Sequence, residues 1–172
     1  MEPTLKPKRT KSPEQALAAL MRLCARSEKS SGDARRLMRG WGVPPEEAEK
    51  ILQRLIKERF IDDRRYATAF VGEKCRLSCW GTYKIRMALR RKEVADEVIE
   101  EALHTIDPAS NRERLSEKIA RKARLTKASS SYEMRTKLMR YGLSLGFDFE
   151  AVSEAVNQHL KTPNEECDIH TV

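Results

Sequence analysis

The residues of this chain best suited to chemistry are its four cysteines, three histidines and one adjacent pair of aspartates. Cys75 and Cys79 stand four apart, so a continuing helix places both on one face. No histidine or second cysteine pair completes a metal set around them. Cys24 falls among apolar helical positions and reads as core, and an even count of cysteines without an export signal does not argue for disulfides. His104, His159 and His170 are scattered, and packing or surface exposure accounts for them. Asp62 and Asp63 form the conspicuous carboxylate pair. Adjacent helical residues point about a third of a turn apart, so either Asp capping the next helix explains the pair better than joint ligation. The chain has no Gly-rich phosphate loop, no His-x-x-x-His pair and no nucleophile elbow. These residues predict neither an enzyme nor a cofactor.

The cations say more. The chain carries 34 Lys or Arg against 26 Asp or Glu, a net +8. Residues 1–60 hold 14 basic and 8 acidic groups, residues 61–110 hold 9 and 9, and residues 111–172 hold 11 and 9. Such an excess draws a protein toward polyanions by long-range attraction and counterion release, although it also simply keeps a protein soluble. Three clusters stand out: Arg35, Arg36 and Arg39; Lys84, Arg86, Arg90, Arg91 and Lys92; and Arg135, Lys137 and Arg140. In any one helix a solvated face is the usual explanation. Recurrence at the same place in three helices gives equal weight to a cationic stripe that tracks phosphates or meets an acidic protein surface.

Apolar spacing shows which elements carry these clusters. Ser12, Pro13 and Gln15 predict a capped helix start, followed by a stripe of Leu17, Leu20, Leu23 and Cys24. A short helix over Gly32 to Gly40 and a third helix from Pro45, with Ala48, Ile51, Leu52, Leu55 and Ile56, complete a trio. The order recurs from the acidic pair. A helix carries Tyr66, Ala67, Phe70 and Val71, then a break spans Leu77 to Gly81. A short helix capped by Thr82 holds Ile85 and Leu89, and a long one holds Ile99, Ala102 and Leu103 until Asp107-Pro108 stops it. Ser110 with Glu113 predicts the next capping box and behind it a helix with Leu115, Ile119 and Ala123, followed by a short helix with Met134 and Leu138 and a last helix over about 149–160. Ala34-Arg35, Ile85-Arg86 and Met134-Arg135 align, then Met38, Leu89 and Leu138, then Val43, Val94 and Leu143. This period predicts an all-α chain of three tandem three-helix modules, 12–60, 61–108 and 109–161, between a flexible basic N-terminus 1–11 and a flexible tail 162–172. The third module departs from the period through Ser144 to Phe149, which predicts either its own hairpin geometry or a hydrophobic loop exposed for contact.

A helix-turn-helix reader of DNA fits less well, because the long helices are acidic (Glu46, Glu47, Glu49, Asp96, Glu97, Glu100, Glu101) and would repel phosphate. A non-enzymatic nucleic-acid-binding module or transcriptional regulator stays as one alternative, and an adaptor using those acidic faces as another. Trp41, Trp80 and Tyr141 sit at the junctions beside the short helices, as core wedges first and as partner anchors or stacking platforms second. No run is long and apolar enough for a bilayer, and no apolar segment follows the basic start, so a cytoplasmic monomer with no membrane contact is expected.

The segment Phe60-Ile-Asp-Asp-Arg-Arg-Tyr-Ala-Thr-Ala-Phe-Val71, then Gly81, Lys84-Ile85-Arg86 and Leu89-Arg-Arg-Lys92, resembles the central motif of the bacterial RecX family. The helix from Ala16 to Arg26 and the stretch from Arg135 to Gly142 resemble it more loosely, so the likeness spans about residues 14–160. It implies three tandem trios in an elongated, curved array that lodges in the groove of a RecA recombinase filament on single-stranded DNA. There the protein would modulate, mainly inhibit, ATP hydrolysis, strand exchange and coprotease activity in recombination and SOS repair. The basic short helices would face filament or DNA, with weak direct contact to DNA and without a cofactor. Asp62, Asp63, Tyr66, Phe70, Trp80, Gly81, Ile85 and Leu89 would be the structural motif. The chain differs from the family pattern at Glu93, where glycine is common, at Gly72, and in its third-module insertion.

Overall fold

Residues 10–161 are described by a computed structural model, and all regular structure among them is helical. The tail expected over 162–172, with Cys167 and His170, and all but the last two residues of the expected N-terminal segment lie outside the described residues. The first trio is α1 (Pro13–Arg26), α2 (Ser31–Gly40) and α3 (Pro45–Lys57). The second is α4 (Asp63–Glu73), which runs on into a π-helical turn (Lys74–Ser78), then α5 (Thr82–Arg90) and α6 (Asp96–Leu103). The third is α7 (Pro108–Leu125), α8 (Ser131–Ser144) and α9 (Phe149–Lys161).

Local chemistry sets most of these boundaries. At α1 the predicted box is closed on both sides: the Gln15 amide donates to Ser12 Oγ at 3.3 Å and the Ser12 amide to Gln15 Oε1 at 3.1 Å. The box expected at Ser110 does not start α7. Asp107 does, accepting from the Ala109 and Ser110 amides at 3.3 and 3.1 Å with Pro108 in the first helical position. Asp-Pro therefore opens this helix as well as closing the one before, because proline lacks the donor that a first position leaves unused anyway. The break expected at Leu77 is tighter than a loop. The π-helical turn ends at Cys79, whose φ of 52° reverses the chain and lets the Trp80 amide donate back to Lys74 O at 3.1 Å.

The third trio corrects the sequence alignment. In the first two trios the turn after the short helix ends on a residue of positive φ, Gly42 at 70° and Glu93 at 57°. A buried valine comes next in each, Val43 or Val94, and the long helix starts two residues later. Leu143, the counterpart of those valines in the sequence period, is 43% exposed. The equivalent positions are Gly146, φ 88°, and buried Phe147, with α9 starting at Phe149. α8 has 14 residues against 10 in α2 and 9 in α5. The irregularity is thus about one extra helical turn, not an exposed hydrophobic loop.

The helices gather into two compact units. One comprises the chain up to Phe70 with Ala88–Ala102, the other Val71–Met87 with the residues from Leu103 on. In the first, α1 and α2 pack on α3, and Leu20, Met38, Leu52 and Leu55 are fully buried. In the second, α7 and α8 pack on α9 around Leu115, Ile119, Leu138 and Val152, and Cys79 and Phe147 join that core. Each such leucine stabilises its unit by about 1.5–3 kcal/mol relative to an exposed one.

Candidate polyanion interface

The acidic pair divides its labour. Asp62 Oδ1 accepts the Arg64 and Arg65 amides at 3.0 and 3.1 Å and so caps α4. Asp63 turns away and accepts the Ser31 amide at 2.8 Å, satisfying an orphan donor of α2, thirty-two residues earlier. Tyr66 stacks on Phe70 with ring centroids 6.0 Å apart, and Ile85 and Leu89 are wholly buried. The α2 N-terminus receives more than Asp63. Ser30 Oγ accepts from the Asp33 amide and donates to Lys92 O, both at 3.0 Å. Asp33, 6% exposed, is paired with Lys92 at 2.9 Å and with Arg36. Burial alone pushes the Asp33 carboxyl up, but the hydrogen bond and charge of Lys92, with Arg36, outweigh it and hold the group below its ordinary value.

Arg35, Arg86 and Arg135 each occupy the fifth residue of their helix, as the alignment required. All three are half-buried. Arg35 bridges to Glu49 on α3 at 3.5 Å and approaches Glu93 at 4.0 Å. Arg135 donates to Asn157 on α9, and Arg86 is engaged in contacts of its own. Arg90 reaches Asp96 at the start of α6 at 2.7 Å. Lys137 pairs with Glu133 at 2.6 Å and donates to Lys127 O at 2.8 Å. That lysine, with Ser129, pulls the Glu133 carboxyl down to about 2. In three trios a short-helix cation therefore reaches a carboxylate or amide of the next long helix. The acidity of the long helices, read in sequence as hostile to phosphate, is in part the complement of these cations. Arg39, Arg91 and Arg140 are exposed and carry no ion pair among the described residues.

Two close backbone approaches hold the short helices. A Cβ on Gly32 would lie 2.2 Å from Lys92 O. In the other unit a Cβ on Gly81 would lie 2.3 Å from Gly146 O, where the Gly81 amide donates to Leu145 O at 2.8 Å and the Tyr83 amide to Gly146 O at 3.2 Å. Each contact sets the amide end of one helix on the carbonyl end of another, a favourable dipole alignment. Lys84 spans the second contact, donating to Ser144 O at 3.0 Å and lying 4.8 Å above the Trp80 ring, with Lys74 at 5.5 Å from it. Trp80 is half-buried under two ammonium groups, and Trp41 and Tyr141 carry Lys11 and Lys122 at 5.0 and 5.3 Å.

Cys24, Cys75 and Cys79 are free thiols, and burial pushes each of them up. Among the described residues no three His, Cys, Asp or Glu gather to hold a metal ion, and no helix is long and apolar enough to cross a membrane.

Sequence averaging hid one cationic element. From Asn111 to Lys127 seven cations, Arg112, Arg114, Lys118, Arg121, Lys122, Arg124 and Lys127, face two carboxylates, Glu113 and Glu117. None of the nine forms an ion pair among the described residues. Over the whole of residues 111–172 this concentration is diluted by later acids to 11 basic against 9 acidic groups. A window of one helix length would have revealed it.

A family model described as RecX, second three-helix domain, matches residues 62–103. A regulatory protein RecX of Clostridium botulinum (strain Alaska E43 / Type E3) is 35% identical over 120 residues, covering 68% of this chain and 55% of that protein. The chain thus spans about half the length of this relative. A regulatory protein RecX of Chlorobium phaeobacteroides (strain BS1) is 31% identical over 110 residues, covering 64% of this chain and 70% of that protein. The crystal structure of RecX from Lactobacillus salivarius matches with a TM-score of 0.72 over 87% of this chain and 97% of its own, at 19% identity, a likeness of fold. With an all-α trio architecture, its second trio under the family's own model and relatives bearing the same name, the chain belongs to the RecX family.

Proposed function

We propose that this protein binds the RecA recombinase filament on single-stranded DNA and lowers its ATPase, strand-exchange and coprotease activities, acting as a cytoplasmic monomer. Family membership carries the reading, through the match of residues 62–103 to the second RecX trio. The repeated placement of Arg35, Arg86 and Arg135 supports it. Because many short-helix cations are committed to partners inside their own trios, the exposed Arg39, Arg91 and Arg140 are the better candidates among them for filament contact.

Titration of the purified chain into RecA, ATP and single-stranded DNA tests the reading. ATPase and filament length should fall as the chain approaches stoichiometry; no change over that range would sink it. Arg39→Glu with Arg91→Glu should weaken the effect more at low salt than at high, because exposed charges are screened within about 10 Å at 0.1 M. An equal loss at every salt would point to misfolding rather than a lost contact.

A further inference from the structure

Among the described residues, the positive charge of the second unit that carries no ion pair is concentrated on α7. Arg114, Lys118 and Arg121 succeed one another along a single line of the helix, at steps of four and three residues. They rise about 5–6 Å per step, a spacing that suits a chain of repeated negative charges better than one isolated anion. Arg124 in the last turn and Lys127 two residues past the helix end continue the charge, and both are exposed. Two large side chains flank the connection 126–130: Leu125 is 76% and Tyr132 80% exposed. Tyr132 follows Lys127 by five residues in the chain, and an exposed tyrosine is a platform for unpaired bases, which stack without regard to sequence. A lipid surface fits poorly, because the apolar face of α7 (Leu115, Ile119, Ala123) is already buried against α8 and α9.

We propose that α7, through Arg114, Lys118, Arg121, Arg124 and Lys127, together with Tyr132, binds a single-stranded nucleic acid directly, phosphates on the cations and a base on the ring. The site deepens the filament reading and rests on it for its biological setting, while strand binding itself needs no recombinase.

Fluorescence anisotropy of the full chain with a labelled oligothymidine, across a series of salt concentrations, tests this. The triple variant Arg121→Gln, Arg124→Gln, Lys127→Gln should flatten the dependence of log affinity on log salt by about 2, since each lost phosphate contact on a single strand removes about 0.7. Tyr132→Ala should weaken binding by about 5- to 100-fold and leave the salt slope unchanged. A control triple with the same change in net charge, Arg22→Gln, Arg26→Gln, Lys57→Gln on the other unit, should leave the slope as it was. Equal flattening in both triples, or none in the α7 triple, would overturn the proposal, as would retention of an acidic peptide but not the oligonucleotide. Far-UV circular dichroism checks that helicity survives. Should the triple lose it, Arg121→Gln alone decides, by a slope change of about 0.7 or none. A chain that binds the oligonucleotide but leaves recombinase ATPase untouched would sink the filament reading and keep this site; the converse would do the opposite.

Discussion

Asp33 holds its carboxylate beneath Lys92 and Arg36 at the amide end of α2. Its folded-state pKa lies below the unfolded one, so its stabilisation is present above about pH 4 and fades as pH falls through the depressed value. Asp33→Asn should therefore cost about 2 kcal/mol at neutral pH and make the acid limb of the stability curve shallower, measured by urea unfolding at a series of pH values. Glu93 is the opposite kind of residue. At φ 57° it occupies a conformation that glycine adopts without penalty. Its approach to Arg35 is long and solvent-exposed, which offsets little. Glu93→Gly should raise stability by about 1 kcal/mol, read as a higher denaturation midpoint at unchanged slope. Asp62 as a cap was legible from the chain because capping is local. Asp63 serving α2 was not, since its acceptor role depends on a helix thirty-two residues away.

At the level of elements, helix starts were legible where a side chain caps its own helix, as at Ser12. The misreadings came where two local signals overlap, as at Asp107-Pro108, or where a period was extended through a helix that had grown longer, as at Leu143. The glycine contacts between helix ends had no sequence signature beyond the glycines themselves. A methyl group on Gly81 has only backbone to meet at Gly146, so nothing flexible yields to it. Gly81→Ala should lower stability by about 2 kcal/mol or more, whereas Gly40→Ala, with open space at its Cβ, should lower it far less. Thermal unfolding of the two variants side by side measures the difference.

Over the whole molecule the sequence period marks three helix trios, while packing divides the described helices into two units that both draw on α4, α5 and α6. Period reflects repeated local pattern; compaction reflects which apolar faces meet, and only coordinates report the second. Cys79 makes the distinction measurable. It belongs to the second trio by position, yet it is buried in one core with Leu115, Ile119 and Phe147. A chain ending at residue 108 should leave Cys79 open to alkylation within the dead time in which the full chain protects it, while half-buried Cys24 reacts similarly in both. Mass spectrometry of each labelled cysteine reads the outcome, and continued protection of Cys79 in the shortened chain would show that the first two trios close their own cores.

The lengthened α8 also constrains how such a protein can change over generations. Four residues advance an α-helix by about 400°, so an insertion of that size returns the chain to nearly its former heading and lets Gly146, Phe147 and α9 keep their orientation within the third trio. Two residues would swing the downstream hairpin to the far side. Length variants tolerated at this helix should come in quanta of three or four, and a deletion library scanned across 139–144 would display that comb.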